Sequence, residues 1–204
     1  MTRLLLIRHA ESEWNAQKRW QGRADPPLSP TGRREAARAA DALRGEVDVV
    51  VASPQVRARD TARIIAEALG LPDVATDDDL CEIDVGAFSG LTIEEVEQRY
   101  PAELAAWRTR EADIAAPGGE TRRALVERVN VAIRRIASAH AGTRVLVLTH
   151  GGVIGSLERS LDAEAGPAHH LSGRWFELNG QELRAVGDRI SLIGDHHPGA
   201  PEAR

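Results

Sequence analysis

Three stretches of the chain are apolar almost without interruption: Arg3 to Ile7 (RLLLI), Val47 to Ala52 (VDVVVA) and Arg144 to Leu148 (RVLVL). Unbroken runs of this length predict strands covered on both faces, the habit of a parallel sheet. Helix-period segments separate them. Ser29 and Pro30 supply an N-cap and a first-turn proline for a helix running through GRREAARAADALR. The same punctuation at Ser53 and Pro54 predicts a second helix, with Ile64, Ile65, Ala68 and Leu69 on its buried stripe and Gly70 as its stop. After the third strand, Thr149, His150 and two glycines lead into VIGSLERSL. From Gly173 to Ile193, short alternating segments flank Asn179-Gly180, a hairpin signal. The pattern predicts an α/β protein, a three-layer α/β/α sandwich whose sheet is mostly parallel and turns antiparallel toward one edge.

Between Leu80 and Ala116 the periodicity breaks into short mixed segments around Tyr100-Pro101 and a lone Trp107, which reads as a cap-like insertion over the sheet edge. Residues 1–196 are expected to form one domain carrying that insertion, and 197–204 a flexible tail. At 204 residues and 42% hydrophobic content the chain can bury one sizeable core. Its longest N-terminal apolar run is far too short for a bilayer span and lacks a cleavage site, so a cytoplasmic protein without membrane association is expected. Cys81 is the single cysteine, which excludes an intrachain disulfide framework and a multi-cysteine zinc site. A net charge of −5 argues against a nucleic-acid or anionic-membrane binder, so any anion site must be a local cluster of cations.

Arg8 and His9 follow the first strand directly, Arg57 lies in the first turns after the second, and His150 ends the third. Alone, each reads as a solvent-facing strand end. Together they converge on the crevice at the carboxyl ends of an open α/β sheet, where such folds hold their ligands. Two histidines with Glu82 could hold a divalent metal, but two arginines at the same strand ends would repel it. They match a phosphate monoester by bidentate hydrogen bonding instead. The glycines after His150 allow close backbone approach and place a helix N-terminus beside the anion.

In this order, LLLIRHAESEWN, SPQVRARDTA, LCEIDVGAFSGL, PGGET and VLVLTHGGVI resemble the motifs of the histidine phosphatase superfamily, in its phosphoglycerate-mutase-like branch, over nearly the whole chain. The resemblance implies that His9 is the nucleophile that becomes phosphohistidine. It implies that Arg8, Arg57 and a protonated His150 grip the phosphoryl oxygens, with Asn15 adding a hydrogen bond. Gln21 and Gly22 match the phosphate-side loop, and Gly151 is expected to donate a backbone N–H. Glu82 matches the general acid that protonates the leaving alkoxide and then activates water. No metal and no cofactor is implied.

The segment from Leu91 to Ala116 is short and offers Arg99, Arg108 and Arg110 but no lysine, which favours a phosphatase over a cofactor-dependent mutase. A non-catalytic phosphate-binding protein of the same fold is the third reading. Val85 stands where the phosphoserine-hydrolysing relatives carry histidine, so the substrate is expected only as some small phosphorylated metabolite. His196 lies where several relatives place a substrate-side histidine, whereas His169, His170 and His197 read as ordinary surface residues. Trp14 and Trp20 read as core or as pocket wall, and PGGET as the start of a long helix reaching about His140. Relatives of this kind are monomers or homodimers.

Overall fold

The computed structural model describes residues 1–194; His196, His197 and the expected tail fall outside the described residues. Six strands form one sheet in the order β3-β2-β4-β1-β5-β6. They are β1 (Thr2–Arg8), β2 (Val49–Ala52), β3 (Ala75–Thr76), β4 (Arg144–Thr149), β5 (Ser172–Asn179) and β6 (Glu182–Ser191). The first four run parallel, β5 pairs antiparallel with β1, and β6 pairs antiparallel with β5. This is the mixed α/β sandwich that the pattern predicts.

The unbroken apolar runs follow from coverage on both faces. Leu5 and Ile7 of β1 join Val50, Ala52, Leu146 and Leu148 in one core. Helices α2 (Pro30–Ala39) and α3 (Val56–Leu69) close that side. Leu4 and Leu6 point the other way, into a second core with Val51, Val145 and Val147. There the covers are α6 (Arg122–Ala139) and α7 (Gly151–Ser160). The segment between Leu80 and Ala116, with α4 (Ile93–Arg99) and α5 (Pro101–Arg108), adds Ile83, Val85, Phe88, Val96, Leu104 and Trp107 to this same core. Trp20 packs edge-on to Phe88 and Trp107, at 5.7 and 6.3 Å between ring centroids, and so belongs with the core.

Helix starts follow local chemistry where a side chain can reach an early N–H. Ser29 accepts from Gly32 N at 3.0 Å with Pro30 in the first turn, and Thr121 caps α6 through Ala124 N. The expectation at Ser53 and Pro54 is corrected. α3 begins at Val56, with Gln55 at the N-cap making no side-chain cap bond. Its buried face is Arg57, Ala58, Thr61, Ala62, Ile65 and Ala66, so Ala68 is exposed and Ile64 and Leu69 are only half-buried. Two residues per turn at i, i+4 spacing face the sheet, and Ile64 and Leu69 flank them. β3, two residues long, has no periodicity to read. No helix among the described residues is long and apolar enough to cross a membrane.

Candidate active site

The parallel pairing of β1 with β4 runs in register up to Arg8 against Thr149. The next residue on each strand is a histidine, and His9 N donates to Thr149 O at 2.9 Å. The two imidazoles stand 5.2 Å apart between ring centroids and both are buried. His9 Nδ1 lies 2.7 Å from its own neighbour's carbonyl, Ala10 O, which can only accept, so Nδ1–H is the donor. Nε2 therefore carries the lone pair, and Arg57 Nε–H donates to it at 3.2 Å. Ala10 is fixed in turn by its N–H to Thr61 Oγ1, and Thr61 Oγ1 donates to Arg57 O. One short network sets both the tautomer and the orientation of the ring.

Arg57 is 1% exposed, and its other nitrogens donate to Ala24 O at 2.8 Å and Gly22 O at 3.0 Å. Gly22 sits at φ +51, and a Cβ there would lie 2.6 Å from Val85 Cγ2. Val85 is thus packed behind this loop, in the core. Ser12 Oγ lies 2.9 Å from both Asn15 Oδ1 and Gln21 Oε1, so these two expected site residues brace the turn that follows β1. Ser12 and Asn15 form a capping box on the short helix α1 (Glu13–Ala16). Arg8 is half-buried, donates to Ala168 O at 2.6 Å, and passes beside Gly151, the first residue of α7.

Glu82 arrives from the loop after β3, held by its N–H to Gln55 Oε1 at 2.8 Å. Its carboxylate accepts from Ile83 N at 2.9 Å and from Gly152 N at 3.1 Å. A Cβ on residue 152 would lie 2.4 Å from Glu82 Oε1, so the second glycine of THGG is what admits the carboxylate. Behind it, Arg128 of α6 grips Glu120 with two nitrogens and donates to the carbonyls of Asp79 and Glu82.

Arg8, His9, Arg57, Glu82, His150 and Gly151 are thus gathered at one crevice. Two further residues escape sequence reasoning. Ser53 Oγ stands 2.9 Å from His150 Nε2, and it too is the first residue after a strand. His170 corrects the surface expectation: it is 7% exposed, its ring 6.2 Å from His9. Because β5 runs antiparallel to β1, its beginning lies beside the end of β1, and Leu171 N donates to Arg8 O.

Electrostatics make the crevice strongly cationic. Burial, Arg57, His150, Arg8 and His170 together hold the His9 pKa well below 6.5. Burial and four arginines do the same for His150. Burial lowers Arg8 to about 10, so it stays charged at neutral pH. Without phosphate the His150 ring is therefore neutral at neutral pH, and the imidazolium expected there belongs to the phosphate-bound site. Both histidines titrate lower when folded than when unfolded, so the unfolded chain binds more protons below about pH 6.5. Thermal stability is expected to hold from pH 8 to 7 and to fall as the pH drops below 6.5, less steeply in His9→Ala. An equal slope in both proteins would contradict this origin.

The two strand-end histidines, the two guanidiniums and the carboxylate thus share one crevice at the carboxyl ends of the parallel strands. The chain belongs to the histidine phosphatase superfamily, whose branch 1 matches residues 4–187. It is 42% identical over 189 residues to "Bifunctional protein Rv2228c" of Mycobacterium tuberculosis, covering 91% of this chain and 51% of that protein. The chain thus spans about half the length of that relative. It is 38% identical over 151 residues to phosphoserine phosphatase 1 of Hydrogenobacter thermophilus, covering 74% of this chain and 71% of the relative. Among solved structures, the mycobacterial glucosyl-3-phosphoglycerate phosphatase in complex with VO3 superposes with a TM-score of 0.81 at 27% identity. That match covers 93% of this chain and 98% of the other.

Proposed function

We propose that the chain is a metal-independent phosphomonoesterase that hydrolyses a small phosphorylated metabolite through a phosphohistidine on His9. The observation that carries this reading is the state of His9: Nδ1 donates to Ala10 O, and the lone pair on Nε2 accepts from Arg57 Nε–H. A nucleophile poised in this way needs a reacting centre that arginine also binds, and phosphorus bearing anionic oxygens is that centre. The names of the relatives, phosphatases of phosphoserine and of glucosyl-3-phosphoglycerate, support the same substrate class.

In the first step His9 Nε2 attacks phosphorus in line, the ester P–O bond breaks, and Glu82 gives its proton to the departing alkoxide. Arg57 Nε–H turns from His9 to a phosphoryl oxygen, while Arg8 holds another. His150 Nδ1, buried and without a hydrogen-bond partner among the described residues, faces the same oxygens once the dianion's charge returns a proton to the ring. In the second step Glu82 takes a proton from water, which attacks the phosphohistidine and releases inorganic phosphate. Hydrolysis rather than phosphoryl return to a bound acceptor is favoured because the segment from Leu91 to Ala116 is short and carries no lysine.

The test is hydrolysis of p-nitrophenyl phosphate in EDTA, with acid quenching of a phosphorus-labelled substrate. Turnover that survives EDTA, with acid-labile label on the protein, is the expected result. Turnover only after divalent metal is added, or no label on an active enzyme, would overturn the mechanism.

A further inference from the structure

Gln55 occupies the N-cap of α3, a position that favours short polar side chains able to reach the first N–H groups of their own helix. Its side chain makes no such bond. The N–H of Val56, the first helical residue, is met from another loop instead, by Asp25 Oδ1 at 2.7 Å. With capping left to Asp25, the Gln55 amide turns inward, and the residue is 6% exposed. Oε1 accepts from Glu82 N at 2.8 Å, while Nε2 donates to Gly22 O at 3.0 Å and to Ala24 O at 3.3 Å. An N–H on one side and two carbonyls on the other leave the amide a single orientation.

These partners come from three separate stretches of chain. Gly22 and Ala24 lie between β1 and α2, Gln55 between β2 and α3, and Glu82 after β3. The two carbonyls are also the ones that seat Arg57, through Nη2 at 3.0 Å and Nη1 at 2.8 Å. A carbonyl oxygen has two lone pairs, so Gln55 and Arg57 together fill both. One amide thus sets the backbone of Glu82 against the same two atoms that hold Arg57. On its other side Glu82 is gripped at the carbonyl, by Arg128 Nη2 at 3.2 Å. Of the two contacts of the carboxylate, that to Ile83 N moves with residue 82, whereas that to Gly152 N belongs to α7. The placement of the carboxylate relative to α7 and the crevice therefore depends on what holds the main chain at residue 82.

We propose that Gln55 is a positioning residue for the reaction: through the backbone N–H of Glu82 it fixes the carboxyl where it reaches the leaving oxygen of a phosphate held by Arg57. This inference rests on the phosphatase reading, with Glu82 as the proton donor. Without the amide, residue 82 stays tethered by Arg128 but pivots about its carbonyl, and the carboxyl drifts from Gly152 N. The consequence falls on esters whose leaving group must be protonated. An alkoxide needs the proton, whereas p-nitrophenolate departs without one.

Benzyl phosphate and p-nitrophenyl phosphate, similar in size but opposite in this need, test it through kcat/KM, which reports the steps up to phosphoryl transfer. Gln55→Met fills the same space without the amide. It is expected to lower kcat/KM for benzyl phosphate about 100-fold, the scale of a small misplacement of a reacting group, and to leave p-nitrophenyl phosphate within about threefold. Asp25→Ala loosens the same loop from α3 without touching Glu82, and should change both esters in equal proportion. In a Glu82→Gln background, Gln55→Met should cause no further loss on benzyl phosphate, because a residue that acts through another adds nothing once that one is gone. Retained p-nitrophenyl phosphate turnover shows the variant to be folded; if Gln55→Met is insoluble, Gln55→Leu carries the same comparison. Equal loss on both esters, or an undiminished loss in the Glu82→Gln background, would overturn the positioning role while leaving the phosphatase reading intact. A wild-type protein active on p-nitrophenyl phosphate but inert on benzyl phosphate would overturn proton donation by Glu82 and this inference with it. Inertness on both esters would overturn the phosphatase reading itself.

Discussion

His9→Ala is expected to lose phosphatase activity by on the order of 10⁴- to 10⁶-fold, the scale on which removal of a covalent nucleophile acts. Nothing nearby can substitute. His150 stands 5.2 Å away, but its Nε2 is engaged with Ser53, and His170 is 6.2 Å from the His9 ring. The variant should remain folded. His9 makes few contacts that define the sheet, and its loss leaves the β1–β4 pairing intact through the backbone, where residue 9 still donates to Thr149 O. Circular dichroism and a urea midpoint near that of the wild type, beside p-nitrophenyl phosphate rates at background, make the expected pair of readings. A variant that hydrolysed at even a tenth of the wild-type rate would remove His9 from the chemistry. It would transfer the question to water activated by Glu82.

The largest effect on stability is expected at Gly173, the second residue of β5. A Cβ there would lie 1.8 Å from Leu6 O and 3.0 Å from Ile7 Cα, both backbone atoms of the strand at the centre of the molecule. Neither can move without breaking the β1–β4 ladder, so the overlap has to be relieved by lifting β5. Gly173→Ala should cost about 4 kcal/mol or more, beyond the range of ordinary substitutions, and accumulate as insoluble protein. Gly166→Ala is the control, since nothing lies within 4 Å of a Cβ there and its backbone is not left-handed. It should change stability by less than about 0.5 kcal/mol. Equal urea midpoints for the two variants would mean that β5 approaches β1 less closely than described. Because Leu171 N binds Arg8 O, lifting β5 also removes His170 and the support of Arg8 from the crevice.

What was legible in the sequence divides along physical lines. Strand positions and strand ends could be read because burial on both faces leaves long apolar runs, and a polar pair after such a run has no place in a core. That logic located Arg8, His9 and His150, and the spacing from the second strand located Arg57. It misread Ser53, because a serine before proline signals a helix cap unless the opposing strand is known to place a histidine against it. His170 was lost for a related reason. It belongs to the site only through antiparallel pairing of β5 with β1, a long-range adjacency that leaves no mark on neighbouring residues. Asn15 and Gln21 were expected beside the phosphate, and their side-chain oxygens meet at Ser12 Oγ in the turn after β1, an arrangement that no local pattern announces. The protonation of His150 was beyond sequence altogether, since it depends on how many guanidiniums share its burial.

The in-register pairing of β1 with β4 has a consequence for how such a site can change. Neighbouring strands lie about 4.8 Å apart wherever sheets form, and the two imidazoles, each one residue past its strand, inherit that spacing in their 5.2 Å separation. The sheet serves as a ruler for the chemistry: its graduation is the geometry of the peptide group, indifferent to side chains. Loops around the crevice are free to diverge toward new leaving groups. The distance between the two rings stays fixed beneath them.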